Sequence, residues 1–200
     1  NLGAAVDNNG GNNLDELFSD PNPSSASTDG YIGKVSLAWT PTDNQLWFVT
    51  FSEGFRPGLL NRPGGAQNAD GSFTVPYALD TDDVANYELG WKLDLFDRSL
   101  RFNGSLFRVE VERLQTTIFD PSITNLFFSD NAADARVTGL EGTVDWAPAA
   151  VPGLTVTGSF SFLDTEITDV ITPTDDVIRG DSLAFAPEFQ GNLRARYVWD

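Results

Sequence analysis

Large apolar residues alternate with polar ones along much of this chain, and this period of two is the feature that most constrains its fold. It is clearest in residues 87–107, YELGWKLDLFDRSLRFNGSLF, where a short DR turn separates two alternating runs. The apolar positions there are Tyr87, Leu89, Trp91, Leu93, Leu95, Leu100, Phe102 and Leu106. Successive side chains of a strand point to opposite faces, so the pattern predicts two antiparallel strands with one apolar and one polar face.

The same alternation recurs in seven segments of the 200-residue chain. We predict strands near 31–39, 45–56, 84–96, 99–116, 135–147, 154–166 and 187–199. None of the remaining segments has a convincing helical period. The expected fold class is therefore all-β.

The connections between these strands alternate strictly in length. TPTDN (40–44), DR (97–98) and 147–153 are short, whereas 57–82, 118–133 and 167–183 are long. In an up-and-down sheet, this order places all short connections at one end of the strands and all long ones at the other. Bacterial outer-membrane barrels have this asymmetry, and their tilted strands need about 9–11 residues to cross the bilayer. The pattern predicts an antiparallel up-and-down transmembrane β-barrel segment whose apolar face meets lipid.

The chain is strongly acidic, with a formal net charge of −17, and it has neither histidine nor cysteine. The charge argues against nucleic acid as a partner. The missing imidazole and thiol remove the usual general base and the thiolate nucleophile, so we expect no enzymatic activity and no cofactor. Acidic residues concentrate in the long connections and in residues 1–30, which we interpret as an extracellular loop. No spaced carboxylate frame predicts a metal site.

Tryptophan gives an independent indication of the membrane boundary. Trp39, Trp47 and Trp146 lie within three residues of a short connection, and Trp199 lies where the next short turn is due. Indole has an apolar body and an N–H that favours the wet boundary of a bilayer. We therefore predict these four residues to be membrane-interface aromatics, whereas in a soluble protein they would cap a core.

Four stretches of the sequence also carry a resemblance to a known family. They are IGKVSLAWTPTDNQLWFVTFSEGFRPG, NYELGWKLDLFDRSLRFNGSLFRVEVERLQ, NAADARVTGLEGTVDWAP and LAFAPEFQGNLRARYVW, in this order from about Tyr31 to Trp199. Together they resemble the barrel of TonB-dependent receptors. The resemblance implies seven strands of a 22-stranded barrel, filled by a plug domain, in the outer membrane of a Gram-negative cell. Such receptors import ferric siderophores, cobalamin or glycans with energy coupled from the inner membrane.

Because an open sheet edge in hydrocarbon is costly, we expect this chain to be an internal piece of a longer protein, with the plug domain and the C-terminal strands absent. The implied partners are outer-membrane lipid, the protein's own plug, an inner-membrane energising complex reached through the missing N-terminal part, and a small-molecule ligand. Two alternatives remain open at this point. One is a passive porin-like channel without a plug, and the other is a soluble β-sandwich for binding or adhesion.

Charged residues at the polar positions are the candidates for contact with plug or substrate. They are Arg56, Glu88, Lys92, Glu141 and Arg194. For Arg56, an ion pair that organises the base of a long loop is favoured over contact with an anionic ligand. Pro57 and Gly58 are expected to end the strand, through a missing N–H donor and freedom in φ respectively. The adjacent acids Asp82 and Asp83 should point to opposite faces and so form no joint site.

Overall fold

A computed structural model describes residues 28, 30–60, 64–67, 69, 73–75, 78–119, 121, 127–174 and 177–199. In chain order its strands are β1 (Lys34–Thr42), β2 (Gln45–Arg56), β3 (Gly64–Gln67), β4 (Phe73–Val75), β5 (Asp82–Leu95), β6 (Leu100–Phe119), β7 (Phe127–Trp146), β8 (Leu154–Val170) and β9 (Phe189–Tyr197). The described residues contain no helix, and accordingly none that is long and apolar enough to cross a membrane. The expected loop over residues 1–30 lies almost entirely outside the described residues.

Seven of these strands form one antiparallel sheet in the order β1-β2-β5-β6-β7-β8-β9, and β3 and β4 form a separate hairpin. The sheet is the predicted meander, because each long strand pairs with its nearest long neighbours along the chain. The connections at 43–44, 96–99 and 147–153 lie at one end of the strands, which we call the turn end. The three long connections lie at the opposite end, which we call the loop end.

The strands depart from the predicted bounds mainly at the loop end. Strand β6 continues to Phe119, β7 begins at Phe127 rather than near residue 135, and β8 continues to Val170. Most of the segment predicted as a loop over 118–133 is therefore strand, and the predicted loop over 57–82 contains the β3–β4 hairpin. The alternation fails there because the β6–β7 register shifts between Val111 and Gln115, where Arg113 has a φ of 55°. A bulge reverses the faces of the residues that follow it, so the period cannot be read across it.

At the turn end the differences are smaller. Strand β1 ends at Thr42, three residues later than predicted, because residues 43–44 form a tight turn and Pro41 is accommodated in an edge strand. At its loop end β1 also begins three residues later than predicted, at Lys34. The predicted DR turn is a four-residue turn over 96–99, in which Phe96, Asp97 and Arg98 all have positive φ.

The register gives the sheet one apolar and one polar face. Leu37, Val49, Leu89, Leu106, Leu140 and Phe162 are successive partners along one row of the apolar face. Even on central strands these side chains are uncovered, since Leu89 is 42% and Leu106 is 46% exposed. Among the described residues no second sheet packs on this face, which removes the basis for the β-sandwich alternative.

A small hydrophobic core lies at the loop end rather than in the middle of the sheet. Its buried members are Val75, Ile118, Phe128, Ala132, Ala133, Ile167 and Val177. They come from β4, β6, β7, β8 and the connection after β8, so the core joins segments that are far apart in sequence.

Candidate functional site

The polar face forms a concave surface that encloses about 560 Å³. Its lining is mostly uncharged, and besides the aromatic residues Phe48, Trp91 and Phe160 it contains seven uncharged polar side chains. These residues are Asn103, Ser105, Thr143, Ser159, Ser161, Gln190 and Asn192. They come from β6, β7, β8 and β9, where the period of two puts every second side chain on this face. Such a surface can bind a polar ligand or another polar protein surface through many weak hydrogen bonds.

Three of the five predicted contact residues, Glu88, Lys92 and Glu141, lie together in this concavity. Glu141 is the register partner of Ser105, whose hydroxyl lies 3.5 Å from a Glu141 carboxylate oxygen. Glu88 and Lys92 flank the same row on β5. The concavity therefore carries charges of both signs among neutral polar groups.

The uncharged polar residues of this surface were not singled out as site residues by the sequence reasoning. The signal was present, because Asn103 and Ser105 occupy the polar positions of the alternating run in β6. Charged residues stand out in a sequence as candidates for a site, whereas serine, threonine and amide side chains are common at solvated positions and do not.

Arg194 lies at the turn end of the polar face, outside this concavity. It is the partner of Thr157, which in turn is the partner of Asp145. Further along the same row, Arg101 donates from Nε to Asp94 at 2.8 Å. Asp94, Arg101 and Asp145 thus alternate in charge on three neighbouring strands, which is favourable for side chains on a sheet, and the neutral Thr157 separates them from Arg194.

Arg56 lies at the loop end, and its guanidinium is held by partners within the sheet. Its Nε donates to Asp82 Oδ2 at 2.8 Å, and its Nη2 donates to the Gln115 carbonyl oxygen at 2.8 Å. Its backbone N–H also reaches Asp82 Oδ1 at 3.2 Å. Half of the Arg56 side chain remains exposed, whereas that of Asp82 is 4% exposed. The geometry is that of an ion pair at the base of a long connection.

Asp83 forms a separate ion pair with Arg113 at the bulge of β6. Asp82 and Asp83 therefore have different partners, as their opposite orientations along β5 require. The unusual backbone of Arg113 is fixed by its N–H, which donates to Asp134 Oδ1 at 2.8 Å, and by its carbonyl, which accepts from Asn131 Nδ2 at 2.7 Å.

The apolar face carries the predicted aromatic residues. Trp39, Trp47 and Trp91 are direct register partners, so Trp91, which is mid-strand in sequence, joins the same row. Trp146 ends β7 beside the connection over 147–153, and Trp199 lies 6.0 Å from Tyr197 between ring centroids. Trp39, Trp47 and Trp146 share their face with Leu89 and lie towards the turn end.

Within the described residues, no cluster of three or more histidine, cysteine, aspartate or glutamate side chains could hold a metal ion. Four acids at the loop end have partners within the chain: Asp82 pairs with Arg56, Asp83 with Arg113, Asp134 accepts from the Arg113 N–H, and Asp130 accepts from the Thr172 hydroxyl at 2.6 Å.

Comparison with known proteins shows which family has this architecture. The family model described as TonB dependent receptor-like, beta-barrel matches residues 1–200. Among curated relatives, the metal-pseudopaline receptor CntO of Pseudomonas aeruginosa is 25% identical over 164 residues, which are 82% of this chain and 20% of the relative. The probable TonB-dependent siderophore receptor PiuA of Acinetobacter baumannii is 21% identical over 144 residues, which are 71% of this chain and 18% of the relative. The chain thus spans about a fifth of the length of these relatives, which are named as receptors and not as enzymes.

The solved structures with a similar fold are also receptors, and the similarity lies in their β-barrels. The ferric yersiniabactin uptake receptor FyuA from Yersinia pestis gives a TM-score of 0.60 at 18% identity, over 84% of this chain and 23% of that one. The ferric preacinetobactin receptor BauA from Acinetobacter baumannii gives 0.56 at 22% identity, over 82% of this chain and 22% of that one. At these identities the likeness establishes the fold, an antiparallel sheet taken from a larger β-barrel.

Proposed function

Because this chain belongs to the TonB-dependent receptor family of β-barrels, we propose that it is a sector of an outer-membrane receptor that takes up a scarce small-molecule ligand by energy-coupled transport. The observation that carries the proposal is a seven-stranded meander with one uncovered apolar face and one polar face, in a chain that matches this family over its whole length. The apolar face then meets outer-membrane lipid, and the polar face lines the lumen.

The aromatic residues support this orientation of the sheet. Trp39, Trp47, Trp146 and Trp199 lie towards the turn end, where an interfacial girdle on the periplasmic side is expected. The long connections at the other end then face the cell exterior. The rows of paired residues run across strands that tilt in a barrel, so residues of one row, such as Trp39 and Trp91, lie at different depths.

The polar face supports a role in holding the plug and in lining the ligand path. Glu88, Lys92 and Glu141 form the charged part of the concavity, and Arg194 extends it towards the periplasmic end. A lumen filled by another domain of the same protein needs many hydrogen-bonding groups of modest individual strength, which allow that domain to rearrange. Arg56 is assigned a structural role at the base of a loop, because its guanidinium is engaged by Asp82 and Gln115.

The ligand class follows from the relatives by analogy. CntO is named a metal-pseudopaline receptor, FyuA a ferric yersiniabactin receptor and BauA a ferric preacinetobactin receptor. We therefore assign a metal chelate as the ligand, in preference to cobalamin or a glycan. The energising complex of the inner membrane is the remaining partner, and it acts through parts of the protein beyond this chain.

Metal uptake by cells tests this proposal. Cells that contain the intact gene and cells that lack it are given ⁵⁵Fe(III) and ⁶⁵Zn(II) in medium conditioned by the same bacterium, with and without a protonophore. We expect the deletion to abolish accumulation of one metal, and the protonophore to abolish it in intact cells. Unchanged accumulation of both metals would refute the metal-chelate assignment. Gene-dependent accumulation that resists the protonophore would instead indicate the porin-like channel.

A further inference from the structure

We propose that, at the loop end, the described parts of the β2–β5 and β8–β9 connections and the adjoining ends of β6 and β7 form one rigid body, held together by the Asp82 hydrogen-bond network and by the core around Ile118. Under this proposal they do not act as independent flexible loops. The inference concerns the folded state of the chain and needs no assumption about its ligand. Its consequence for ligand entry, given below, rests on the proposed function.

The first step is the network around Asp82. This carboxylate is almost fully buried, and it accepts bonds from the guanidinium of Arg56 and from the Gln115 N–H at 3.4 Å. Gln115 Nε2 donates to the carbonyl oxygens of Pro57 at 3.1 Å and Asp80 at 3.0 Å. Both ends of the connection between β2 and β5 are thereby fixed to β6.

The same network continues to β7. Asn131 Nδ2 donates to the Asp80 carbonyl at 3.0 Å, and the Asp80 N–H donates back to Asn131 Oδ1 at 2.8 Å. The charge-assisted bonds between Arg56 and Asp82 are roughly twice as strong as neutral ones, and leaving the buried Asp82 carboxylate unpaired would be costly. The ends of β2, β5, β6 and β7 are thus joined by side chains as well as by the sheet.

The second step is the connection between β8 and β9, which folds back onto the sheet. The N–H groups of Ile171 and Thr172 both donate to the Ala132 carbonyl, at 2.8 and 3.0 Å. Further along, the Gly180 N–H donates to the Ile167 carbonyl at 2.8 Å, and the Ile167 N–H donates to the Asp181 carbonyl at 2.8 Å. This connection is therefore tied to both β7 and β8.

The third step is the core that all these segments share. Val75 of the β3–β4 hairpin is completely buried, and it belongs to the same cluster as Ile118, Phe128 and Val177. Val75 and Val177 come from two of the long connections, and Ile118 and Phe128 come from the ends of β6 and β7. Removing one segment would expose apolar surface on the others, so their stabilities are coupled.

The body lies over the polar face of the sheet. Ile167 is the register partner of Ala135, which has the same parity along β7 as Glu141. Asp82 likewise has the parity of Glu88 along β5. If the proposed function holds, this sector is a fixed wall at the mouth of the lumen, and any opening for the ligand must occur in another part of the barrel.

Hydrogen exchange of the full-length receptor in lipid vesicles tests the proposal. Asp82→Asn keeps the shape of the side chain and removes its charge. We expect it to speed amide exchange about tenfold or more in three segments together, namely 73–75, 128–133 and 177–181. An increase confined to 56–58 and 78–84, around the substituted carboxylate, would overturn the proposal.

A second variant tests the apolar core of the rigid body. Val75→Ala opens a gap in the core and leaves every hydrogen bond of the Asp82 network in place. It therefore tests the proposal even if the Asp82→Asn protein does not fold into the membrane. We expect faster exchange at 115–118 and 128–133 as well as in the hairpin, whereas a change in the hairpin alone would show that the connections are independent. Asp43→Asn, in the exposed tight turn at the opposite end of the sheet, is the matched control and should alter neither region.

Discussion

At the scale of single residues, Gly58 is needed because there is no room for a side chain at this position, and not because of its backbone conformation. Its place after Arg56 predicts that it ends the strand through freedom in φ, but the described glycines with positive φ are Gly153 and Gly180, and Gly58 is not among them. A Cβ at Gly58 would instead overlap the carbonyl oxygen of Leu79, where the two ends of the first long connection approach each other. The Leu79 N–H donates to the Leu59 carbonyl at 2.8 Å and fixes that approach.

We therefore expect Gly58→Ala to destabilise the folded barrel by about 1–3 kcal/mol, because neither backbone segment can move without breaking the bonds around it. Gly54→Ala is the matched control, since a Cβ at that position of β2 meets no atom within 4 Å. It should change the free energy of unfolding by less than about 0.5 kcal/mol. Urea unfolding of the full-length receptor from lipid vesicles measures both, and equal effects would contradict this explanation of Gly58.

At the scale of elements, the alternation predicted the order, direction and two faces of the seven long strands. It did not predict their length at the loop end. Two local features explain the difference: the bulge at Arg113 reverses the faces of β6, and the shared core makes apolar residues such as Ile118 and Phe128 necessary on the face that is polar elsewhere. A pattern read along one strand cannot show contacts with a hairpin that returns from another part of the chain.

The candidate site was predictable to a similar extent. Parity placed Glu88, Lys92 and Glu141 on one face, and the register then brought them into one concavity. The partner of Arg56 was not predictable, because it depends on which residue of β5 lies opposite, and that register is fixed only when β2 and β5 pair.

Reciprocal substitutions on β5 test the two faces of an element. Leu89 belongs to the unbroken apolar row, and Leu89→Lys should destabilise the barrel by about 2–4 kcal/mol if it lies near the bilayer midplane. Lys92→Leu, on the polar face of the same strand, should leave stability almost unchanged, because that face is wet and already accommodates Phe48 beside Gly90. The same unfolding measurement in vesicles serves for both, and a larger loss for Lys92→Leu would reverse the assignment of the faces.

At the scale of the whole molecule, the central assignment is that the apolar face meets lipid. Loss of stability in Leu89→Lys cannot establish this alone, since a buried leucine in a soluble protein would respond in the same direction. What distinguishes the two cases is the medium at the surface of the side chain. Leu89 and its neighbour Glu88 are suited to this test, because they lie at nearly the same depth and on opposite faces.

This chain has no cysteine, so within it a nitroxide attaches only to a cysteine that is introduced. We expect a nitroxide attached at Leu89→Cys, in the full-length receptor in lipid vesicles, to collide more often with oxygen, which concentrates in hydrocarbon, than with a water-soluble nickel chelate. At Glu88→Cys the preference should reverse or both collision rates should be low, because the lumenal face is wet or covered by the plug. If the nitroxide at Leu89 were shielded from oxygen and nickel alike, the apolar face would be packed against protein, and the membrane assignment would have to be abandoned.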